Sequence, residues 1–484
     1  MPRTLALAST LWDELCAALE DERETAGVIS ARVVDAGPDG VTYLARRVMW
    51  APQDAYLDRQ SYGLSLGSAG WVPAVRAALA EGSIPVFVHT HPRGRAVFSG
   101  HDDKVDADIT AALPRMGFAG DYVALVVAGS VQSATAAARA YPGTRVAGDP
   151  PAASLTSAGL RAVPIGKIRI AGDSIRLLLS QADSGPGTGP GSEPGARPQD
   201  ETFDRQIRMF GPAGQRMLGA LSVGVVGTGG TGSAVAEQLA RLGVGALTLI
   251  DDDVVTEPTP TRGYGMTAAD LGRPKAQVLA EHLSAIGLAT EVTALTTAVQ
   301  DAAALGQLAA ADVVFSCVDG HGARLILNRW AYAYLTPVID LAILVSAVPE
   351  TATVSGIDGR VTWLGPGTSC LLCRGRIDPA LAYAEILEPE ERKRLAGEGY
   401  AREAETRQPA VVTLSSLVAS LATTELLQRL FGMADVTPTE LIALVQRREL
   451  RRNRMPQRPG CFCASPEFLA RGAEEPHLDL MWPG

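Results

Sequence analysis

His89 and His91 stand two residues apart at the end of an apolar run, in VFVHTHPRGRAVFSGHDD. Alternate residues of a strand face the same side, so both imidazoles point one way. Asp102 lies eleven residues beyond His91, at the start of a stretch that reads as a helix. Two imidazoles and one carboxylate suit zinc and leave the fourth tetrahedral position open for water, the catalytic form of a zinc site. Zinc held this way would lower the pKa of that water to about 7 and polarise a carbonyl. Hydrolysis also needs a base, and Glu24 in ETAGVIS is the candidate. Asp103 and His101 are the competing third ligands.

A second chemical signal is Gly227-Thr228-Gly229-Gly230-Thr231-Gly232, placed between an apolar strand-like run and a helical one. In that setting Gly227, Gly229, Gly230 and Gly232 permit a tight turn and bring phosphate close to a helix N-terminus. The next strand ends in Asp251-Asp252-Asp253, where an acid can hold ribose hydroxyls. Up to this point a dehydrogenase using NAD fits equally well. Arg262 and Lys275 then follow in TRGYGMTAADLGRPK. Two cations aimed at a phosphate chain suit a triphosphate attacked at its α-phosphorus. Asp319, at the end of a further strand in VFSCVDGHGAR, could hold Mg²⁺. A dehydrogenase needs none of these three.

Six cysteines are present, and four fall into close pairs, Cys370 with Cys373 and Cys461 with Cys463. Such pairs in a long chain expected to be cytoplasmic favour a metal over disulfides. Cys16 and Cys317 read as buried structural thiols.

The elements that must carry these groups fall on either side of a Gly/Pro-rich stretch, SGPGTGPGSEPGARPQD, which reads as a flexible linker over residues 184–200. The expected organisation is a first domain over 1–183, a second over 201–470 and a tail over 471–484. In the first, strands over Gly27–Val34, Pro85–His89 and Tyr122–Ala128 alternate with helices over Val72–Glu81 and Asp103–Ala112, an α+β or three-layer pattern. Strand-like pieces over Lys167–Ile170 and Ser174–Leu179 complete it. In the second, a helix near Phe203–Leu218 precedes the strand Leu221–Val226, the helix Ala234–Leu242 and the strand Leu247–Ile250. That βαβ unit extends naturally to a doubly wound α/β fold.

The first constellation resembles the JAMM (MPN+) metalloproteases, which remove ubiquitin-like modifiers. Glu24 precedes Gly27 by three residues, and His89-Thr90-His91-Pro92 is followed by Ser99 and Asp102 at the family's spacing. The resemblance implies a cytidine-deaminase-like α/β/α domain. It also implies zinc on His89, His91 and Asp102, with Glu24 as general base and acid and Ser99 stabilising the tetrahedral oxyanion.

From Phe203 to Cys463 the chain resembles the E1-like adenylating family that includes ThiF, MoeB and the ubiquitin-type E1 enzymes. The matching stretches are FDRQIRMFG, VVGTGGTG, LIDDDVV, LGRPKA and SLVASLATTELLQRL. The resemblance implies ATP as substrate, Asp251 on the ribose, Arg262 and Lys275 on the phosphates, and Mg²⁺ on Asp319. Arg205 would reach the ATP site of the partner subunit in a homodimer. Cys370, Cys373, Cys461 and Cys463 would form a structural Cys₄ zinc site, with CxC where the family has CxxC. Thr259 stands where the family's ATP-positioning Asn is usual, and residues 395–414, where a thioester cysteine would be carried, contain none.

With 484 residues, 46% of them hydrophobic and 20% charged, the chain has the composition of a globular protein of two or three domains. A net charge of -10 argues against a general nucleic-acid binder, and no apolar run is long enough for a membrane span. The combined expectation is a bifunctional enzyme acting on a ubiquitin-like (β-grasp) protein or sulfur carrier. One half would cut after a C-terminal Gly-Gly and the other would adenylate the carboxylate so exposed. An E2-like protein or a sulfur donor would take the activated tail. The alternatives are sulfur-carrier activation for a small-molecule pathway, and a non-catalytic E1-like scaffold beside an active protease.

Overall fold

The runs that carry the histidines and the glycine loop belong to two different sheets. The computed structural model describes residues 3–36, 40–143, 154–155, 159–180, 201–348, 353–387, 394, 410–433 and 438–480. Contacts divide the chain into two units, the first running to Ala171 and resuming at Arg176, the second carrying the chain through Leu469. The stretch expected as a linker, 184–200, lies outside the described residues, as does 395–409 of the segment without a cysteine.

The first unit contains β1 (Arg3–Ala8), α1 (Ser9–Ala17), β2 (Ala26–Asp35), β3 (Val41–Trp50), β4 (Tyr56–Gln60), β5 (Gly63–Leu66), α2 (Val72–Ala80), β6 (Ile84–Pro92) and α3 (Gly100–Ala112). It continues with β7 (Tyr122–Gly129), β8 (Thr135–Tyr141), β9 (Ser154–Leu155), β10 (Arg161–Pro164), β11 (Lys167–Ala171) and β12 (Ile175–Leu179). Ten of these strands form one mixed sheet in the order β12-β11-β1-β3-β2-β6-β7-β8-β10-β9, and β4 and β5 form a separate hairpin. Alternation along the central strands feeds two cores. Ile29, Val86, Val88 and Leu125 pack with Leu11, Trp12 and Leu15 of α1. Val28, Phe87 and Ala124 pack with Ala74 and Val75 of α2 and Ile109 of α3. Helices therefore cover both faces, which is why β6 is buried along almost its whole length and reads as a continuous apolar run.

The second unit contains α4 (Asp204–Gly219), β13 (Ser222–Val226), α5 (Gly230–Leu242), β14 (Ala246–Ile250), α6 (Lys275–Ala285), β15 (Glu291–Leu295), α7 (Ala302–Leu308), β16 (Val313–Ser316) and α8 (His321–Ala333). Then come β17 (Val338–Val348), β18 (Thr353–Leu364), α9 (Pro379–Ile386), α10 (Val412–Phe431), β19 (Glu440–Leu444) and β20 (Glu449–Asn453). Its sheet runs β15-β14-β13-β16-β17-β18-β19-β20. The first five strands are parallel and in doubly wound order, as the βαβ reading anticipates. The last three are an antiparallel extension that the reading did not contain. Only residues 349–352 separate β17 from β18, too few for a parallel crossover, which takes about a dozen. The helix expected over Phe203–Leu218 is broken: Gly211 takes φ 71° and Pro212 opens the second half. Among the described residues no helix is long and apolar enough to cross a membrane.

Candidate functional sites

In the first unit, the antiparallel register sets Ala26 opposite His89, so the residues just before β2 run beside His91. Thr90 and Thr25 fasten that junction, the Thr90 amide donating to the Thr25 carbonyl and the Thr25 amide to Thr90 Oγ1, both at 2.9 Å. His89 Nε2 and His91 Nε2 come within 3.0 Å, and Asp102 Oδ1 lies 3.1 Å from His89 Nε2. Zinc bonds of 2.0–2.1 Å give tetrahedral edges of about 3.3 Å, so the spacing fits that ion. His91 Nδ1 lies 3.0 Å from the Arg95 carbonyl. That carbonyl can only accept, so Nδ1 carries the proton and Nε2 is left with its lone pair.

Asp102 is aimed by the N-terminus of α3. Ser99 caps the helix, and its amide and hydroxyl donate to Asp102 Oδ2 at 2.6 and 2.7 Å. Burial alone would raise this carboxyl, but the His89 and Ser99 bonds outweigh it and hold it well below the usual carboxylate range. Both competing ligands are committed elsewhere: Asp103 pairs with Arg139 at 2.7 Å and His101 Nε2 lies 3.1 Å from the Leu64 carbonyl. Ser99 Oγ, implied as an oxyanion donor, is therefore engaged by Asp102 here.

Glu24 is buried, with Oε1 3.7 Å from His91 Nε2. Burial is the main cause of its raised pKa, about 7, against the opposing pull of His91. Its backbone is clamped by the β4–β5 hairpin, whose Gln60 carbonyl accepts the Glu24 amide at 2.7 Å while Arg59 Nε donates to the Glu24 carbonyl at 2.8 Å. Nothing in the sequence marks Arg59 for this task. A small open pocket, of about 20 Å³, opens onto these groups and is walled by Leu64, Phe87, His101, Val105 and Asp106.

In the second unit, the glycine loop follows β13 and its crowding explains the glycines. Gly227 has φ 84°, and a Cβ there would stand 2.7 Å from the Cys317 carbonyl oxygen. A Cβ on Gly232 would stand 1.8 Å from the Gly227 carbonyl oxygen, and one on Gly230 would touch Arg262 and Ser415. Gly229 is open. The loop thus presents bare backbone at the first turn of α5, where amides lack helical acceptors and phosphate can sit.

Asp251 is buried, and its oxygens are engaged by the Thr228 amide at 2.5 Å, Thr228 Oγ1 at 2.9 Å and the Asp253 amide at 2.9 Å. Burial raises its pKa against these bonds. Asp251 therefore locks the glycine loop to β14, and Thr228, which the motif gave no reason to single out, supplies the bolt. Asp253 is exposed and holds Lys275 Nζ at 2.6 Å. Asp319 is exposed just past β16, whose neighbour in the sheet is β13. Thr259 is buried, and its hydroxyl accepts the Thr256 amide at 3.0 Å. Arg205 is exposed on α4 and, among the described residues, makes no hydrogen bond or ion pair.

The four paired cysteines also meet. Cys370 Sγ is 3.5 Å from Cys461 Sγ, Cys373 Sγ is 3.7 Å from Cys463 Sγ, and all four lie within 4.8 Å of one another. Zinc–sulfur bonds of about 2.3 Å give edges of about 3.8 Å, so the cluster could hold a structural zinc. Neighbouring thiols, Cys463 first, draw Cys370 down to about 5, while burial pushes Cys461 up to about 11. Four thiolates coexist there only around a cation. The residues after the cluster pack onto α8, where His477 Nε2 lies 2.9 Å from Tyr334 Oη.

Comparison with known proteins places this second unit. The sulfur carrier protein ThiS adenylyltransferase of Escherichia coli (strain K12) is 32% identical over 186 residues, 38% of this chain and 66% of that protein. The molybdopterin-synthase adenylyltransferase of the same organism is 33% identical over 140 residues, 28% of this chain and 56% of that protein. The SAMP-activating enzyme E1 of Haloferax volcanii is 30% identical over 177 residues, 36% of this chain and 62% of that protein. The chain thus spans less than two thirds of the length of each of these relatives. The model of the ThiF family matches residues 203–463, from the opening of α4 to the last paired cysteine. With more than half of its length so matched, this chain belongs to the ThiF family.

Proposed function

We propose that the chain adenylates the C-terminal carboxylate of a ubiquitin-like (β-grasp) protein with ATP, and that its first unit is a zinc isopeptidase acting at the same kind of Gly-Gly tail. The observation that carries the first half is Lys275, held by Asp253 at 2.6 Å, together with a glycine loop whose Gly227 and Gly232 leave no room for a Cβ. Lys275 and Arg262 neutralise the phosphates, and Asp253 and Asp251 face the ribose side. Asp319 would hold a Mg²⁺ ion that, when bound, would compensate further charge. The carboxylate oxygen bonds to the α-phosphorus, the α–β phosphoanhydride breaks and pyrophosphate leaves. The names of the relatives, adenylyltransferases of a sulfur carrier and of molybdopterin synthase, support this substrate class. The exposed, uncommitted Arg205 supports a homodimer in which it serves the partner's site.

The second half rests on the convergence of His89, His91 and Asp102 with Glu24 beside them. His89, His91 and Asp102 would hold a zinc ion that, when bound, would supply a Lewis acid for the scissile carbonyl. Glu24, buried beside His91, would take a proton from the attacking water and return it to the leaving amine. Ser99, on turning from Asp102, is the nearby hydroxyl for the carbonyl oxygen. A second reading, sulfur-carrier activation for a small-molecule pathway, is favoured by the same relatives, and a thiocarboxylate product distinguishes it from conjugation through an E2-like protein. A third, a protease beside an inactive adenylating unit, draws on Thr259.

The deciding experiment is ATP–pyrophosphate exchange with small β-grasp proteins ending in Gly-Gly. Exchange that requires such a partner supports adenylation. Its absence with every partner, from folded protein loaded with zinc, removes that half of the proposal.

A further inference from the structure

Asp319 sits on a short turn, residues 317–320, between β16 and α8. That turn is wedged against the glycine loop. The Cys317 amide donates to the Val226 carbonyl at 2.8 Å, and the Cys317 carbonyl occupies the place where a Gly227 Cβ would be. From the far side, Arg324 Nη2 donates to the Val318 carbonyl at 2.7 Å, the peptide that joins Val318 to Asp319. The same guanidinium gives Nε to Asp340 Oδ1 at 2.9 Å. Asp340 is fully buried on β17 and also accepts Ser316 Oγ at 3.0 Å and Arg360 Nη2 at 2.6 Å. At the other end of the turn, Glu385 Oε2 accepts the Gly322 amide at 2.7 Å. Asp319 itself is exposed. The backbone on either side of Asp319 is thus held at Cys317, Val318 and Gly322, while among the described residues no group bonds its carboxylate.

We propose that Arg324, clamped by Asp340, is a positioning residue that sets where the Asp319 carboxylate stands relative to the glycine loop, and hence the site's preference for metal-bound over metal-free nucleotide. This rests on the adenylation reading above. The bonds of Arg324 fan out from one planar group: Nε donates to Asp340 on β17, and Nη2 reaches the Val318 carbonyl of the turn at 2.7 Å and, more weakly, the Leu341 carbonyl of β17 at 3.4 Å. A lysine has one nitrogen and cannot span both, so the usual conservative exchange does not conserve this function. A buried charge left without its partner also disturbs the network, so the test must separate misplacement of Asp319 from general damage.

The test is calorimetric binding of an α,β-methylene analogue of ATP, with and without Mg²⁺ and without chelator, to the full chain and to Arg324→Lys, Asp340→Asn and Asp319→Asn. The quantity read is the ratio of the two affinities for one sample, in which any loss of folded fraction cancels. The expected result is a wild-type Mg²⁺ enhancement of about tenfold or more, reduced in Arg324→Lys and Asp340→Asn towards that of Asp319→Asn, with metal-free affinity little changed. Arg324→Lys combined with Asp319→Asn should lose no further enhancement than Asp319→Asn alone. A wild-type ratio in Arg324→Lys, or equal losses with and without Mg²⁺, overturns the proposal. So does a wild-type ratio in Asp319→Asn, and if carrier-dependent exchange persists in the wild type the adenylation reading survives that outcome. A wild type that binds the analogue in neither buffer removes both.

Discussion

The ammonium of Lys275 lies 2.6 Å from the carboxylate of Asp253, across the gap between the end of β14 and the first turn of α6. The lysine side chain is largely buried while the aspartate is exposed, so the cation is held at the site and its partner is the movable member. Lys275→Ala should therefore reduce carrier-dependent pyrophosphate exchange by about 10²–10³-fold, the usual loss when a preorganised group facing developing charge is removed. Circular dichroism should stay at wild type, since the partner that the substitution leaves unpaired, Asp253, is exposed and is solvated by water instead. A loss below tenfold would mean that Lys275 does not meet the phosphates.

Two glycines of one loop should behave oppositely. A methyl on Gly232 would meet the Gly227 carbonyl oxygen at 1.8 Å, and backbone cannot yield as a side chain can. A methyl on Gly229 meets open space. Gly232→Ala should lower stability by about 1–3 kcal/mol and abolish nucleotide binding. Gly229→Ala should melt as the wild type does. Thermal melts and nucleotide titrations of the two variants check this directly, and equal behaviour would contradict the loop geometry.

Metal analysis separates the two candidate zinc sites. The full chain should carry two zinc ions, and Cys461→Ser and His89→Ala should each remove one. Only the cysteine variant should melt markedly lower, since its ion closes a structural cluster. Glu24→Gln should keep both ions and lose about 10²–10⁴-fold of isopeptidase rate. Retained hydrolysis with both ions bound would dismiss Glu24 as the base.

The stability of the second unit should depend on Glu440. Its carboxylate is buried and bonded by Arg376 at 3.2 Å and Asn453 at 2.7 Å, with Arg374 at 3.7 Å. Burial raises its pKa, but the bonds from Arg376 and Asn453 and the nearby guanidinium charges outweigh this and bring it below the ordinary value of 4.5. A depressed folded-state value means stabilisation that is present above about 4.5 and lost as pH falls through the folded value. Glu440→Gln should thus cost about 3–5 kcal/mol at neutral pH, and the gap from wild type should narrow below about pH 4. A gap independent of pH would show that the charge contributes nothing.

The sequence made the sites more legible than their surroundings. His89, His91 and Asp102 were readable because strand alternation and a helix cap each fix direction locally. The glycine loop was readable because close backbone approach admits one residue type. Elements set by long-range contacts were not readable in this way. The antiparallel strands β18 to β20 follow from the short return after β17, and the kink at Gly211 follows from a positive φ that a helix-period pattern does not reveal. The bonds of Asp251 to Thr228 cross 23 positions and tie two strand ends together, which a ribose-binding pattern in the sequence does not reveal. Arg59 was invisible for the same reason, since its grip on Glu24 depends on how a hairpin folds over the end of β2.

The cysteine cluster joins positions 91 apart in the chain, Cys370 and Cys461. Between them lie α9, α10, β19 and β20. During synthesis the clasp has only half of its sulfurs until all of those elements have left the ribosome, so nascent chains interrupted in that interval cannot close it. The full set of four sulfurs for a zinc ion would therefore exist only once the last strands of the second unit have been made.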